Sequence, residues 1–236
     1  MLIPLRGIGE VTAGTDLAHM VAGALAPEMQ HGPTLCTGDV LVITQKVVSK
    51  AEGRMVALDP DDPTAKIALV EQESVRVVRR RGDLIISETR HGFICANAGI
   101  DLSNVALGTA ALLPEDADRS ARRIRAGLQA VLAVDVGVII SDTFGRTWRR
   151  GVTDVAIGCA GVAAVIDLRG TVDATGRELV ATEVCVADEL ASAAELVMGK
   201  DRGVPAAIVR GVPAEWLRRA SVHDEIVRPP AEDLFR

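Results

Sequence analysis

The chain has 236 residues, 48% of them hydrophobic and 25% charged, which is enough apolar material for a buried core and excludes a disordered chain. The formal net charge of −6 argues against a general nucleic-acid-binding protein, because phosphate backbones are held by clustered positive charge. Aromatic residues make up only 2% of the chain, so stacking of bases or sugars on aromatic rings is not expected to be the main binding device.

Predicted helices and strands alternate along the chain. Apolar residues at helical spacing after capping or acidic residues predict the helices, and short β-branched runs bounded by Gly, Asp or Pro predict the strands. In chain order we expect a helix at 15–25, a strand at 39–48, a helix at 62–80, strands at 83–89 and 92–99, a helix at 115–132, strands at 135–142 and 162–167, a helix at 182–199 capped by Gly199, and a strand at 205–211.

This order of elements indicates a mixed α+β fold. The sequence contains no internal repeat and no low-complexity linker, so residues 1–236 are expected to form a single unit. Proline-bearing loops are expected at 60–63 and at Pro114, and residues 228–236 are expected to form a surface extension.

The four cysteines, Cys36, Cys95, Cys159 and Cys185, lie far apart with no CxxC pair, which is typical of reduced and buried thiols in a cytoplasmic protein. The N-terminal "MLIPLRGIGEV" lacks the long apolar region of a signal peptide or anchor. No later segment reaches the roughly 18 uninterrupted apolar residues of a spanning helix. We therefore expect a soluble, cytoplasmic protein without a membrane partner.

In each of two segments, an apolar predicted strand is followed by a turn that contains an aspartate. "CANAGIDLSN" supplies Asp101, and "IISDTFGR" supplies Asp142 and Thr143. Hard divalent cations such as Mg²⁺ are commonly held by one or two carboxylates while substrate phosphates and water complete the shell. Either aspartate alone is more typical of a turn cap, but the pair, followed by arginines, favours a metal site.

Basic side chains near these turns are candidates for binding phosphate or carboxylate. Arg146 follows Asp142 in a turn with two further arginines, and guanidinium groups match such oxygens in bidentate fashion. Lys50 follows the predicted strand at 39–48, and the glycines of "GIGEV" at 7–11 would let backbone N–H groups approach a ligand. Solvated surface turns are the alternative for each. The P-loop, GxGxxG, GxSxG and HExxH motifs are absent from the sequence.

Several blocks together resemble the coenzyme F420-0:γ-glutamyl ligase family, in which F420 names a coenzyme. The resemblance runs in order from about residue 3 to residue 211, and its blocks are "GDVLVITQKVVSKAEGR", "NAGIDLSN", "LLPEDADRSARRIR", "SDTFGRTWRRGVTDVAIGCAGV", "GRELVATEVCVADELASAAELVMGK" and "VPAAIVRG". It implies a core at about 3–211, a C-terminal extension at 212–236, and no C-terminal flavin-reductase domain.

The resemblance implies a ligase that uses GTP and a divalent metal to join L-glutamate to the phospholactyl carboxylate of coenzyme F420-0 through an acyl phosphate, and then adds further γ-linked glutamates. It also implies a non-P-loop γ-glutamyl ligase fold of two interlocked subdomains with mixed and antiparallel sheets, which forms a homodimer. Mg²⁺ or Mn²⁺ would be bound, two ions per site. The partners are then GTP, L-glutamate and coenzyme F420-0, without nucleic acid.

Carried over residue by residue, the resemblance places the metal on Asp101 and Asp142, with Thr143 beside a second ion. Charge on the transferred phosphate would be met by Lys50 and Arg146. The implied nucleotide contacts are Ile8, Gly9, Glu10, Val11, Gln45, Lys50, Asn104, Leu196, Val197, Met198, Gly199, Lys200, Asp201, Arg202 and Gly203. The chain departs from the family pattern at Ile8 and Gly9, where a leucine–proline pair is usual, and at Gln45, where serine is usual.

Two other hypotheses use the same residues. A metal-dependent phosphohydrolase would employ the aspartates with water as the nucleophile. A nucleotide- or deazaflavin-binding protein without catalysis would need the pocket but not the phosphoryl transfer.

Overall fold

The computed structural model of the protein describes residues 1–25 and 34–235. The strands are β1 (Leu2–Leu5), β2 (Val40–Thr44), β3 (Met55–Ala57), β4 (Ser74–Arg81), β5 (Leu84–Thr89), β6 (Ile94–Ala96), β7 (Thr109–Ala111), β8 (Gly137–Gly145), β9 (Val152–Ala160), β10 (Ile166–Asp167), β11 (Glu183–Val184) and β12 (Ala206–Val209). The helices are α1 (Leu17–Leu25), α2 (Gln45–Ala51), α3 (Ala65–Gln72), α4 (Ala117–Leu132), α5 (Val186–Met198) and α6 (Val222–Glu225). The mixed α+β class is therefore confirmed.

A five-stranded sheet in the order β1-β12-β2-β8-β9 forms the centre of the molecule. Strands β2 and β8 are parallel and in register from Val40 opposite Gly137 to Thr44 opposite Ser141, and the other pairs are antiparallel. One apolar cluster joins the sheet to α1 and α4, and a second joins its other face to α5. Because both faces are covered, residues 40–43 of β2 and 138–140 of β8 are all apolar rather than alternating.

Smaller sheets lie beside this layer. Strands β4, β5 and β6 form an antiparallel sheet, β3 pairs with β7, and β10 pairs with β11. A third apolar cluster is centred on Ile85 and Leu112 and receives Leu69 and Val70 from α3. These connections bring the turn after β6 to the end of β8.

Several predicted elements are confirmed. The helix expected at 115–132 is α4, which begins after the cap Asp116, whose carboxylate accepts a hydrogen bond from the Arg119 N–H. The helix expected at 182–199 is α5 from Val186 to Met198, followed by Gly199 with φ 67°, but the prediction is wrong at its start, where Glu183–Val184 form β11. The strands expected at 83–89 and 205–211 are β5 and β12.

The predicted strand at 39–48 is wrong beyond Thr44, because α2 begins at Gln45. In this helix the Gln45 amide donates to the Ser49 hydroxyl one turn later and to the Leu112 carbonyl, at 3.1 and 3.0 Å. The helical turn also buries Val47 and Val48 together on the apolar cluster beside α4. Tertiary burial thus outweighs the β propensity of the two valines.

The predicted helix at 62–80 is also wrong beyond Gln72. Residues 74–81 form β4, which pairs with β5 along nearly its whole length and leaves Val75, Val77 and Val78 exposed. The Arg76 guanidinium lies 3.2 Å from the Glu88 carboxylate across the two strands. Cross-strand partners, which helical periodicity cannot reveal, decide this segment.

The predicted strand at 162–167 shrinks to β10, Ile166–Asp167. The backbone before it bonds to the C-terminal segment instead of to a neighbouring strand. The Ala163 N–H donates to the Trp216 carbonyl at 2.7 Å, and the Ala164 and Val165 N–H groups donate to the Glu225 carboxylate at 3.1 and 3.0 Å. Residues 228–235 are mostly exposed, as expected for a surface extension, and residue 236 lies outside the described part of the chain.

The cysteines are unpaired in the described structure. Cys95 and Cys159 are buried as expected and Cys185 is half-buried, but the prediction is wrong for Cys36, which is exposed in the turn before β2. Burial raises the pKa of Cys95 and of Cys185 to about 12, which makes both thiols poor nucleophiles. Among the described residues, no helix is long and apolar enough to cross a membrane.

Candidate functional site

The site is built at the end of the β8–β9 hairpin, where the two strands leave the apolar layer. The register places Thr143 opposite Asp154. The Thr143 hydroxyl donates to one Asp154 oxygen at 2.8 Å, and the Ser141 hydroxyl donates to the other at 3.1 Å. Asp154 is only 1% exposed. Sequence reasoning missed this residue, and its one signal was a charged residue inside the apolar strand "TDVAIG".

Lys200 joins this group from the turn after α5. Its ammonium lies 2.7 Å from Asp154 Oδ1 and 3.2 Å from Glu195 Oε1, and it donates to the Thr143 hydroxyl. Burial would lower the pKa of Lys200, but the bonds to the two carboxylates outweigh it and raise that pKa. The lysine is therefore held as a cation against three oxygens.

Asp101 lies in the turn between β6 and β7. Its backbone N–H and C=O bond to Ala111 at 3.0 and 2.9 Å, which fixes its position beside β7. One carboxylate oxygen accepts the Ser103 N–H at 2.7 Å, and the other lies 2.7 Å from the Lys46 ammonium. Burial alone would raise the pKa of Asp101, but these donors outweigh it and lower that pKa.

Asp142 lies between these two groups of charges. One of its oxygens accepts the Thr143 N–H at 2.8 Å. The side chain is enclosed by protein although part of its surface remains accessible, and burial raises its pKa to about 7, with Asp101 and Asp154 adding to the rise and the Thr143 N–H and Lys200 opposing it. The structure therefore brings Asp101 and Asp142 into one electrostatic neighbourhood, while the metal site predicted at the two residues stays a prediction.

The arrangement fits one hard divalent cation. Asp142 carries unfavourable negative charge that a cation would neutralise, and Asp101 offers a second carboxylate. No group of three His, Cys, Asp or Glu side chains in the described residues is ready to hold a metal, so substrate oxygens and water would have to complete the shell. The Lys46 ammonium would have to leave Asp101 when such an ion binds.

The N-terminal loop at residues 8–11, which carries predicted nucleotide contacts, is joined to Lys50 by an ion pair. The Lys50 ammonium lies 2.7 Å from the Glu10 carboxylate. Gly9 is exposed beside it, Ile8 packs against the apolar cluster, and Val11 is buried in that cluster. This loop and α2 thus form one wall beside the site.

Gln45 is placed differently from the other predicted contacts. It is buried, and its amide nitrogen is bound to the Leu112 carbonyl and the Ser49 hydroxyl. The side chain stabilises the junction between α2 and the end of β7, so a role in binding ligand would require it to break these bonds.

One hydrogen bond joins the segment from Leu196 to Gly203 to the turn that carries Asp101. The Asn104 amide donates to the Lys200 carbonyl at 3.5 Å. Met198 is buried against the sheet, Val197 and Gly199 are half-buried, and the remaining members of the segment are exposed at the surface, namely Leu196, Lys200, Asp201, Arg202 and Gly203. Met198 is thus a core residue, whereas Asp201, Arg202 and Gly203 are exposed to solvent.

Arg146 lies in the exposed tip of the β8–β9 hairpin. Its guanidinium donates to the Arg150 carbonyl at 3.4 Å. It is therefore held within the turn and not on the carboxylates of the site. Lys46, by contrast, reaches Asp101 directly, and sequence reasoning had missed it.

Comparison with known proteins identifies the family. The sequence model described as F420-0:Gamma-glutamyl ligase matches residues 7–211. The chain is 44% identical over 250 aligned positions to the coenzyme F420:L-glutamate ligase of Methanothermobacter thermautotrophicus, covering 100% of this chain and 98% of that protein. It is 45% identical to the enzyme of the same name from Methanopyrus kandleri over 244 positions, covering 96% and 94%. The chain therefore belongs to the F420-0:gamma-glutamyl ligase family, a family of ligases.

Proposed function

We propose that the protein joins L-glutamate to the phospholactyl carboxylate of coenzyme F420-0 at the expense of GTP, and that it then adds further γ-linked glutamates. The observation that carries this proposal is the family match over residues 7–211, which includes the whole carboxylate cluster. Joining a carboxylate to an amine in water is uphill. Transfer of the γ-phosphoryl group would give an acyl phosphate and GDP, and attack by the glutamate amine on the acyl carbon would then release phosphate.

The residues of the site suit this chemistry. Phosphoryl transfer depends mainly on positioning and on neutralising charge on the non-bridging oxygens. Asp101 and Asp142 would hold Mg²⁺ or Mn²⁺, which when bound supplies that neutralisation. Lys50 and Lys46 would exchange their present carboxylate partners, Glu10 and Asp101, for phosphate oxygens. Arg146 would reach a phosphate or carboxylate only if the hairpin tip turned inward.

The nucleotide would lie between the N-terminal loop and the segment 196–203, where the Asn104 amide donates to the Lys200 carbonyl. We also propose a homodimer of chains with two interlocked subdomains each. The exposed apolar side chains Val75, Val77 and Val78 on β4 support an interface on the three-stranded sheet. The cytoplasmic location stays a prediction.

The activity can be tested directly with purified protein, GTP, Mn²⁺, L-glutamate and tail-less coenzyme. Mass spectrometry should detect successive glutamyl additions, and release of phosphate should depend on glutamate. The Asp142→Asn variant should lose turnover while keeping the circular dichroism spectrum of the native protein. Phosphate release at full rate without glutamate would identify a hydrolase instead, and coenzyme binding without turnover would identify a non-catalytic binding protein.

A further inference from the structure

Lys200 occupies a position where the second ion of a two-metal site would be expected. Its ammonium contacts oxygens from three elements: Thr143 on β8, Asp154 on β9 and Glu195 on α5. Thr143 is the residue that the family resemblance placed beside a second ion. A hydroxyl and two carboxylates are also a typical oxygen set for a hard divalent cation.

The lysine and a divalent ion would exclude one another. An ammonium has three donors, and here they face three acceptors, so the group is satisfied without metal. Asp154 is 1% exposed, and a buried carboxylate requires a cation or donors beside it. With Lys200 present, that requirement is already met. A second ion would have to displace the ammonium from both carboxylates.

The backbone holds Lys200 in this place. The N–H of Gly199, which has φ 67°, donates to the Glu195 carbonyl at 3.0 Å and ends α5 immediately before the lysine. The Lys200 carbonyl accepts the Asn104 amide from the turn that carries Asp101. Its side chain is 52% exposed along its length, but the ammonium itself is directed inward onto Asp154.

We propose that Lys200 acts as a built-in monovalent cation in place of a second divalent ion, so that each site binds one metal, at Asp101 and Asp142. This inference rests on the proposed function for the identity of the first ion. It adds that the ammonium, rather than a metal, would face the side of the nucleotide nearest Thr143 and Asp154. The site would then combine one divalent metal ion with the singly charged Lys200 ammonium.

The experiment counts bound Mn²⁺ per chain, with Mn²⁺ alone as the probe, by electron paramagnetic resonance of the unbound ion and by equilibrium dialysis. The native protein should bind one ion. The Lys200→Gln variant should bind two, because Thr143, Asp154 and Glu195 then lose their cation. The Lys200→Arg variant keeps the charge and should bind one. Lys66→Gln removes the same charge from α3 and should also bind one.

A second readout is thermal stability, which does not depend on turnover. Without metal, Lys200→Gln should melt below the native protein, since Asp154 loses its partner, and Mn²⁺ should raise its melting temperature more than that of the native protein. Two ions in the native protein, or one in both the native protein and Lys200→Gln, would overturn the inference.

Other stoichiometries separate the inference from the proposed function. No ion in the native protein but one in Lys200→Gln would refute the metal role of Asp101 and Asp142 while supporting Lys200 as an exchangeable cation. No ion in either protein would overturn both.

Discussion

Ionised Asp142 is the form that would bind a cation, but the same ionisation destabilises the folded protein. Its pKa of about 7 in the folded protein exceeds the value of 3.8 expected for an unfolded aspartate. The folded state therefore holds the proton more tightly, and this stabilisation is fully present below pH 3.8 and is lost as the pH rises through about 7. The ionised Asp142 carboxylate thus destabilises the protein at neutral and alkaline pH, and the proposed cation would offset this effect.

We expect Asp142→Asn to be more stable than the native protein at pH 8 in the presence of a chelator, by on the order of 1–2 kcal/mol. The amide oxygen can still accept the Thr143 N–H, but it carries no charge. Urea unfolding at pH 5 and pH 8 measures the effect, and the gain should shrink at pH 5. Asp173→Asn is the control, because the pKa of Asp173 is lowered and its substitution should bring no gain at pH 8. A variant less stable than the native protein at pH 8 would contradict this account.

Asp154 and Asp167 each form an ion pair, but the two carboxylates differ in burial. Both carboxylates lie within 2.7 Å of a cation, Lys200 and Arg169 respectively, but Asp154 is buried and Asp167 is exposed. Asp154→Asn should lower the free energy of unfolding by roughly 2–3 kcal/mol, because the donors Ser141, Thr143 and Lys200 lose a buried charged acceptor. Asp167→Asn should change it little, since exposed pairs are screened by water and salt.

Chemical denaturation of the two variants beside the native protein measures this difference. Equal losses for the buried and the exposed pair would show that Lys200 is not held at Asp154 in solution, and the site geometry would then be wrong at that residue.

At the scale of elements, helix α4 packs closely against the edge strand β9 at Gly158. A methyl group on Gly158 would lie 2.3 Å from the backbone carbon of Ala117 and 2.5 Å from its carbonyl oxygen. Neither backbone atom can move without displacing the start of α4. We therefore expect Gly158→Ala to cost roughly 2–3 kcal/mol of stability through overpacking.

Gly145 on the partner strand β8 is the matched control. A methyl group there would meet no atom within 4 Å, and its φ does not lie in the left-handed region. Gly145→Ala should leave the melting temperature nearly unchanged. If Gly158→Ala were equally harmless, the close packing of α4 on β9 would not exist as described.

Elements whose signals are local could be predicted, and elements that depend on distant partners could not. The Asp116 cap and the apolar stripe of α4 lie within the helix itself, and both indicate its start and course. The apolar residues within 74–80 are compatible with both helical and strand spacing, and only pairing with β5 makes the segment a strand. Asp101 and Asp142 could be selected because each follows an apolar run in the sequence, and their metal role stays a prediction. Asp154 could not, because its partners Thr143 and Lys200 reach it across the hairpin and from the end of α5.

At the scale of the whole molecule, the C-terminal segment ties the start of α4 to the central sheet. The Asp118 carboxylate accepts N–H groups of Cys159 at 2.8 Å, Val222 at 2.8 Å and His223 at 3.1 Å. It thereby joins α4, β9 and α6 at one point. Glu225 performs the same function for Ala164 and Val165, whose N–H groups have no strand partner. The segment after residue 211 is thus structural up to Val227, beyond the residues that the family model matches.

Two truncations test this division of the C-terminal segment. Removing residues 212–236 deletes Val222, which is fully buried, and takes away two of the three donors to Asp118. We expect this chain to lose roughly 3–5 kcal/mol of stability, from the exposed apolar surface and the lost hydrogen bonds together. Removing only residues 228–236, of which residues 228–235 are mostly exposed, should leave the melting temperature nearly unchanged. Calorimetry of the two truncated chains gives the comparison, and equal melting temperatures would show that the segment 212–227 does not hold α4 against β9.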